Sequence, residues 1–81
     1  MAWSVYLIRC KDNSLYTGIT TDVIRRFNEH NAQGKKTAKY LRGKSPLLLI
    51  GCIQVKNRSE AQQLEHEIKT LSKQEKESLF S

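Results

Sequence analysis

Five polar side chains in this chain bear the types and spacing of a phosphoryl-hydrolysing site. They are Tyr6 in Ser4-Val5-Tyr6-Leu7, Tyr16 in Tyr16-Thr17-Gly18, then Arg26, His30 and Glu65. Phosphodiester hydrolysis needs a deprotonated water, stabilisation of the charged transition state and protonation of the leaving oxygen. Arg26 offers phosphate a planar fork that lysine cannot match. Glu65 is a hard oxygen ligand for Mg²⁺ or Mn²⁺. A tyrosine hydroxyl relays a proton from water when nearby positive charge lowers its pKa of about 10. His30, with an ordinary pKa of about 6.5, shuttles or orients. Each residue alone has a plainer reading. Phenols pack across strands, an arginine snorkels at a boundary, and a histidine near a helix end meets the dipole. Glu65 with Lys69 is an ordinary i,i+4 pair worth about 0.2–0.5 kcal/mol. The joint order of all five outweighs those readings.

The elements that must position them are legible in outline. Trp3 to Cys10 is β-rich in type, Lys11 to Ser14 supplies turn residues, and Leu15 to Thr20 reads as the returning strand. A hairpin pairing Cys10 with Leu15 puts the two tyrosines on opposite faces. A shared face requires another loop length or a bulge, plausibly at Gly18, which also suits a close approach by another group. Asp22 or Thr21 caps a helix running to about Asn31. On its wheel, His30 and Arg26 border the apolar stripe of Val23, Ile24 and Phe27, while Arg25, Asn28 and Glu29 take the far face.

Ala32 to Pro46 lacks periodicity and reads as a long loop with five cations, Lys35, Lys36, Lys39, Arg42 and Lys44, around Tyr40. Leu47 to Val55 is a near-continuous apolar run, the pattern of a strand buried on both faces. Ser59 and Gln62 form a capping box. The helix that follows carries Ala61, Leu64, Ile68 and Leu71 on one stripe, with Glu65 at its margin and His66 turned away. Ser72-Lys73-Gln74-Glu75 repeats the capping signal, so a short terminal helix brings Leu79 and Phe80 back to the core.

Eighty-one residues make one domain. Fourteen Lys and Arg against eight Asp and Glu leave +6, which predicts attraction to polyanions, nucleic acid first. Cys10 and Cys52 lie in apolar runs and read as buried free thiols; with His30 and His66 they lack zinc-ligand spacing. No stretch resembles a signal peptide, and Leu47 to Ile50 is too short to span a bilayer, so a cytoplasmic protein without a membrane partner is expected. The basic loop reads as a segment that grips the nucleic-acid backbone, with Tyr40 free to stack on a base.

Val5-Tyr6-Leu7, ten residues on Tyr16-Thr17-Gly18-Ile19, then Arg26 and His30, resemble the opening half of a GIY-YIG nuclease domain. Glu60-Ala61-Gln62-Gln63-Leu64-Glu65 resembles that family's metal-binding helix. The likeness runs from about Trp3 to Lys76 and is strongest to the small stand-alone bacterial members of the UPF0213 type. Ser4-Val5-Tyr6 lacks the family's first glycine, and Thr17 replaces an isoleucine; both tyrosines are kept. The resemblance implies an α+β fold, a three-stranded antiparallel sheet flanked by helices, and hydrolysis of DNA with one divalent metal, Mg²⁺ or Mn²⁺, on Glu65. It leaves either phenol open as the group that activates water; we lean toward Tyr6, with Tyr16 as its neighbour or a phosphate contact. Without a specificity element, a monomeric nuclease of weak or structure-dependent specificity is expected, acting in DNA repair or recombination, with RNA a further substrate and a larger repair complex a possible setting. Two rival readings are a noncatalytic nucleic-acid-binding module and a repair-complex adaptor, and retention of all five polar positions favours the nuclease.

Overall fold

The computed structural model describes residues 2–80. Strand β1 (Trp3–Arg9) lies between β2 (Leu15–Thr20) and β3 (Leu48–Val55) in an antiparallel sheet ordered β2-β1-β3. The β1–β2 register places Tyr6 opposite Gly18 and Ile8 opposite Tyr16. The register follows from loop 10–14. Cys10 N–H donates to Ser14 O at 2.9 Å and Asn13 N–H donates to Cys10 O at 2.9 Å. Asn13 adopts φ 70°, a left-handed conformation that asparagine tolerates. Moving Cys10 into the loop slips the pairing by one residue, and one residue turns the side chains of a strand to the other face. Both tyrosines therefore share a face. The β1–β2 ladder has no bulge at Gly18; the register shift occurs between Leu7 and Ile8, on the β3 side.

The two faces have separate cores. Tyr6, Ile8, Cys10, Leu41 and Leu47 form one, with Tyr16, Val23 and Phe27 packed against it. Helix α1 (Val23–Asn31) and a short 3₁₀ turn at Lys39–Leu41 contribute to this side. Val5, Ala61 and Ile68 form the other core, joined by Leu64 from α2 (Arg58–Lys69) and Phe80 from α3 (Lys73–Phe80). At Gly51 the end of α3 comes so close to β3 that a Cβ would stand 2.9 Å from the Phe80 carbonyl oxygen.

Several expectations are corrected here. The strand buried on both faces is β1, because it alone has neighbours on both edges; β3 is an edge strand whose residues alternate in exposure. Leu48 is exposed, and so is the Cys52 thiol, while Cys10 is buried. Ile24 and Leu79 are exposed as well, since the apolar stripe of α1 is narrower than the wheel suggested and Phe80 alone turns α3 inward. Helix α2 begins two residues earlier than the Ser59 box implies. Asn57 is its cap, accepting from Glu60 N–H at 2.9 Å, while Glu60 Oε1 accepts from Lys56 N–H at 2.9 Å. The caps at Asp22 and Ser72 form as expected: Asp22 accepts from Arg25 N–H, and Ser72 and Glu75 bond reciprocally.

Candidate active site

Tyr6 comes from the buried central strand, so its phenol has one way out, across β2 above Gly18. A Cβ at Gly18 would overlap the Tyr6 ring and hydroxyl. Glycine is thus required here for close approach, in a regular part of the ladder. Beyond Gly18 the hydroxyl meets His30 Nε2 at 2.9 Å. His30 is fully buried in the last turn of α1. Its Nδ1 accepts the backbone N–H of Ala38 at 3.2 Å. A neutral imidazole carries one N–H, so that proton is on Nε2 and is donated to the Tyr6 oxygen. Burial, reinforced by the Arg26 charge, lowers the His30 pKa to about 4. The ring is therefore neutral at physiological pH.

Burial also pushes the Tyr6 pKa upward, helped by Tyr16 and Glu65, whereas the Arg26 charge and its hydrogen bond pull it down. Arg26 and Glu65, on helices that cover opposite faces of the sheet, thus act with opposite sign on one hydroxyl. Arg26 is itself held in place: its NH1 donates to Glu29 Oε1 at 2.9 Å and to Lys36 O at 2.7 Å. Glu65 is half-buried, with Lys69 Nζ 3.5 Å from its Oε2. Tyr16 completes the group, its ring centroid 6.3 Å from that of Tyr6 and 5.7 Å from that of His30. All five sequence-derived residues meet at the β2 edge of the sheet.

A family model described as the GIY-YIG catalytic domain matches residues 2–78. The chain belongs to the GIY-YIG family. It is similar to the UPF0213 protein of Cronobacter sakazakii, 56% identical over 79 residues, which spans 98% of this chain and 81% of the relative. UPF0213 protein YhbQ of Salmonella typhimurium is 54% identical over 79 residues, 98% of this chain and 77% of the relative. The solution NMR structure of the UPF0213 protein from Bacillus halodurans is 44% identical with a TM-score of 0.59, covering 98% of this chain and 82% of that one. A solution NMR structure from E. faecalis is 34% identical with a TM-score of 0.65 and the same coverage.

Within this GIY-YIG chain the basic loop is pinned by the site it borders. Thr37 Oγ1 donates to the carbonyls of Glu29 at 2.9 Å and His30 at 3.2 Å. Gln33 donates to the carbonyls of His30 and Leu41 and accepts from Gly43 N–H at 2.8 Å. The six basic-loop residues do not form one patch. Lys35 and Arg42 line a cleft with Gln33, Gly34 and Gly43. Lys36 Nζ is 3.8 Å from Glu29, and Lys39 starts the 3₁₀ turn. Lys44 pairs with Asp12 at 3.6 Å and lies 3.5 Å over the Tyr40 ring, which stacks on Tyr16 at 5.9 Å. Tyr40 is thus already engaged, contrary to the expectation of a free stacking platform.

Sequence reasoning missed Glu29. Its side chain is 17% exposed and takes Arg25, Arg26 and Lys36 together, because the loop folds back over what looked like the far face of α1. Among the described residues no three His, Cys, Asp or Glu side chains converge as a metal cluster. Glu65 as a single carboxylate still fits Mg²⁺ or Mn²⁺, since such ions are commonly held by one or two carboxylates, waters and substrate phosphates. No helix of the described residues is long and apolar enough to cross a membrane.

Proposed function

We propose that this chain is a metal-dependent endonuclease that hydrolyses DNA phosphodiester bonds at the Tyr6 pocket, with weak or structure-dependent specificity. The observation that carries the reading is the convergence on the Tyr6 hydroxyl. It receives the Nε2–H of a buried neutral imidazole and lies within the fields of a guanidinium and a carboxylate. Membership of the GIY-YIG family supplies the reaction class.

The roles follow from proton placement. His30 has no acceptor nitrogen left for the phenol proton, because Nδ1 faces Ala38 N–H and Nε2 already carries hydrogen. Tyr6 therefore loses its proton to solvent, and His30 and Arg26 stabilise the phenolate that remains. That phenolate takes a proton from the attacking water. Arg26, clamped by Glu29, receives the negative charge that develops on the phosphate oxygens. Glu65 would hold the divalent metal, which supplies Lewis-acid stabilisation of phosphate charge when bound. Exchange of Lys69 for the metal as the partner of Glu65 costs little, since a half-exposed pair is worth at most about 1 kcal/mol. Tyr16 shields the phenol from bulk water and offers its hydroxyl to the substrate.

The test is nicking of supercoiled and branched DNA with Mg²⁺ or Mn²⁺. Glu65→Ala and Arg26→Ala are expected to abolish nicking by the wild type. Cleavage that survives both substitutions would remove the site.

A further inference from the structure

A second cleft of about 250 Å³ opens at the same sheet edge, lined by Leu15, Tyr16, Thr17, Tyr40, Lys69 and Lys76. Tyr16 lies two residues from Gly18 along β2, about 6.6 Å at strand rise. The cleft is therefore next to the Tyr6 pocket and distinct from it. Three features mark it as built for an anion. Lys69 and Lys76 bring ammonium groups from two different helices to one opening. Thr17 is only 4% exposed, and its Oγ1 has no hydrogen-bond partner. A buried hydroxyl without a partner is unfavourable, and valine would suit a strand at that position better, so the hydroxyl calls for an explanation. The remaining wall is apolar and aromatic, formed by Leu15, Tyr16 and Tyr40.

We propose that this cleft binds the nucleotide adjacent to the cleaved bond, with its phosphate on Lys69, Lys76 and the Thr17 hydroxyl and its sugar or base against Leu15 and Tyr40. The assignment rests on the Tyr6 pocket being the site of hydrolysis, which fixes where the neighbouring phosphate lies. Lys69 joins the two places, because the same ammonium group contacts Glu65. A cleft this small accepts one strand, so the bound substrate presents an unpaired nucleotide at this step.

Binding of a fluorescein-labelled single-stranded oligonucleotide in EDTA, read by anisotropy across a salt series, tests the cleft independently of nicking. Thr17→Val is expected to weaken binding about three- to tenfold, the loss of one hydrogen bond, without lowering the melting temperature. Lys76→Met is expected to weaken binding and make the salt slope shallower by about 0.7, one single-strand phosphate contact. A purely structural Thr17 would instead shift the melting temperature and leave affinity alone. Unchanged affinity in both variants overturns the cleft assignment even if Glu65→Ala abolishes nicking. Weakened binding in both, with no nicking by the wild type, upholds an anion site while the Tyr6 reading fails. Inorganic phosphate and a mononucleotide, added as competitors, separate the ligand sources. Equal displacement by both at millimolar concentration overturns the nucleotide assignment, and preferential displacement by the mononucleotide supports it.

Discussion

The Tyr6 phenol crosses its neighbouring strand at Gly18, where no side chain larger than hydrogen fits. A conformationally ordinary strand residue is thereby made glycine by a side chain from another strand. Gly18→Ala is expected to push the ring off His30, destabilise the fold by about 1–3 kcal/mol as overpacking does, and abolish nicking. Urea denaturation and the His30 ring signals in NMR spectra check it. An unperturbed His30 in a stable variant would contradict the close-approach reading.

Tyr6→Phe removes the acceptor of a buried imidazole N–H. A buried donor left unpaired costs about 1–3 kcal/mol, so stability falls although the ring volume is kept. Nicking is lost as well under the proposed mechanism. In the wild type the nicking rate should climb as pH rises from 7 to 9, because burial raises the Tyr6 pKa and the phenolate is the active form. A rate that is flat over that range would point to another base.

His30 sets the acid limit of stability. Its pKa is about 4 folded and about 6.5 in a model peptide. Between those values the unfolded chain binds a proton that the folded one refuses. Stability is therefore fully present above pH 6.5 and declines as pH falls towards 4, by on the order of 3 kcal/mol. Glu29, Asp12 and Glu75, whose pKa values are lowered by hydrogen bonds, add their losses only at lower pH. Urea titrations at stepped pH should show this decline, and His30→Gln should flatten it between pH 4.5 and 6.5.

Glu29 clamps Arg26 from the same helix, with Arg25 and Lys36 on its other oxygen. Glu29→Gln keeps the shape and removes the charge. The expected result is a roughly tenfold slower nicking rate, in the range of losses when a positioned electrostatic group is disturbed. Restoration by Glu29→Asp would support positioning, since the shorter carboxylate keeps the charge. Equal nicking by wild type and Glu29→Gln would make the clamp irrelevant to the reaction.

The start of α2 offers a test independent of function. Asn57→Ala should cost about 1 kcal/mol as the loss of a cap, whereas Ser59→Ala, inside the helix, should be near neutral. Thermal melts of the two variants decide between the caps.

Local signals made much of this protein legible before its fold was known. Alternating β-branched and aromatic residues marked β1 and β2, and the Asp22 and Ser72 caps marked two helix starts. Position on the wheel put His30, Arg26 and Glu65 beside apolar stripes, where each could approach the sheet. The α2 start was misread because two adjacent capping patterns compete, and only packing selects between them.

The sequence by itself determined which groups exist and how far apart they stand along the chain, because strand and helix periods are set by backbone geometry. Tertiary structure alone decided that loop 10–14 brings both phenols to one face, that Glu29 faces Arg26 under the folded-back loop, and that β3 lies at an edge. Those outcomes depend on contacts between residues distant in sequence, where a one-residue slip or an unseen neighbour reverses a side chain's surroundings.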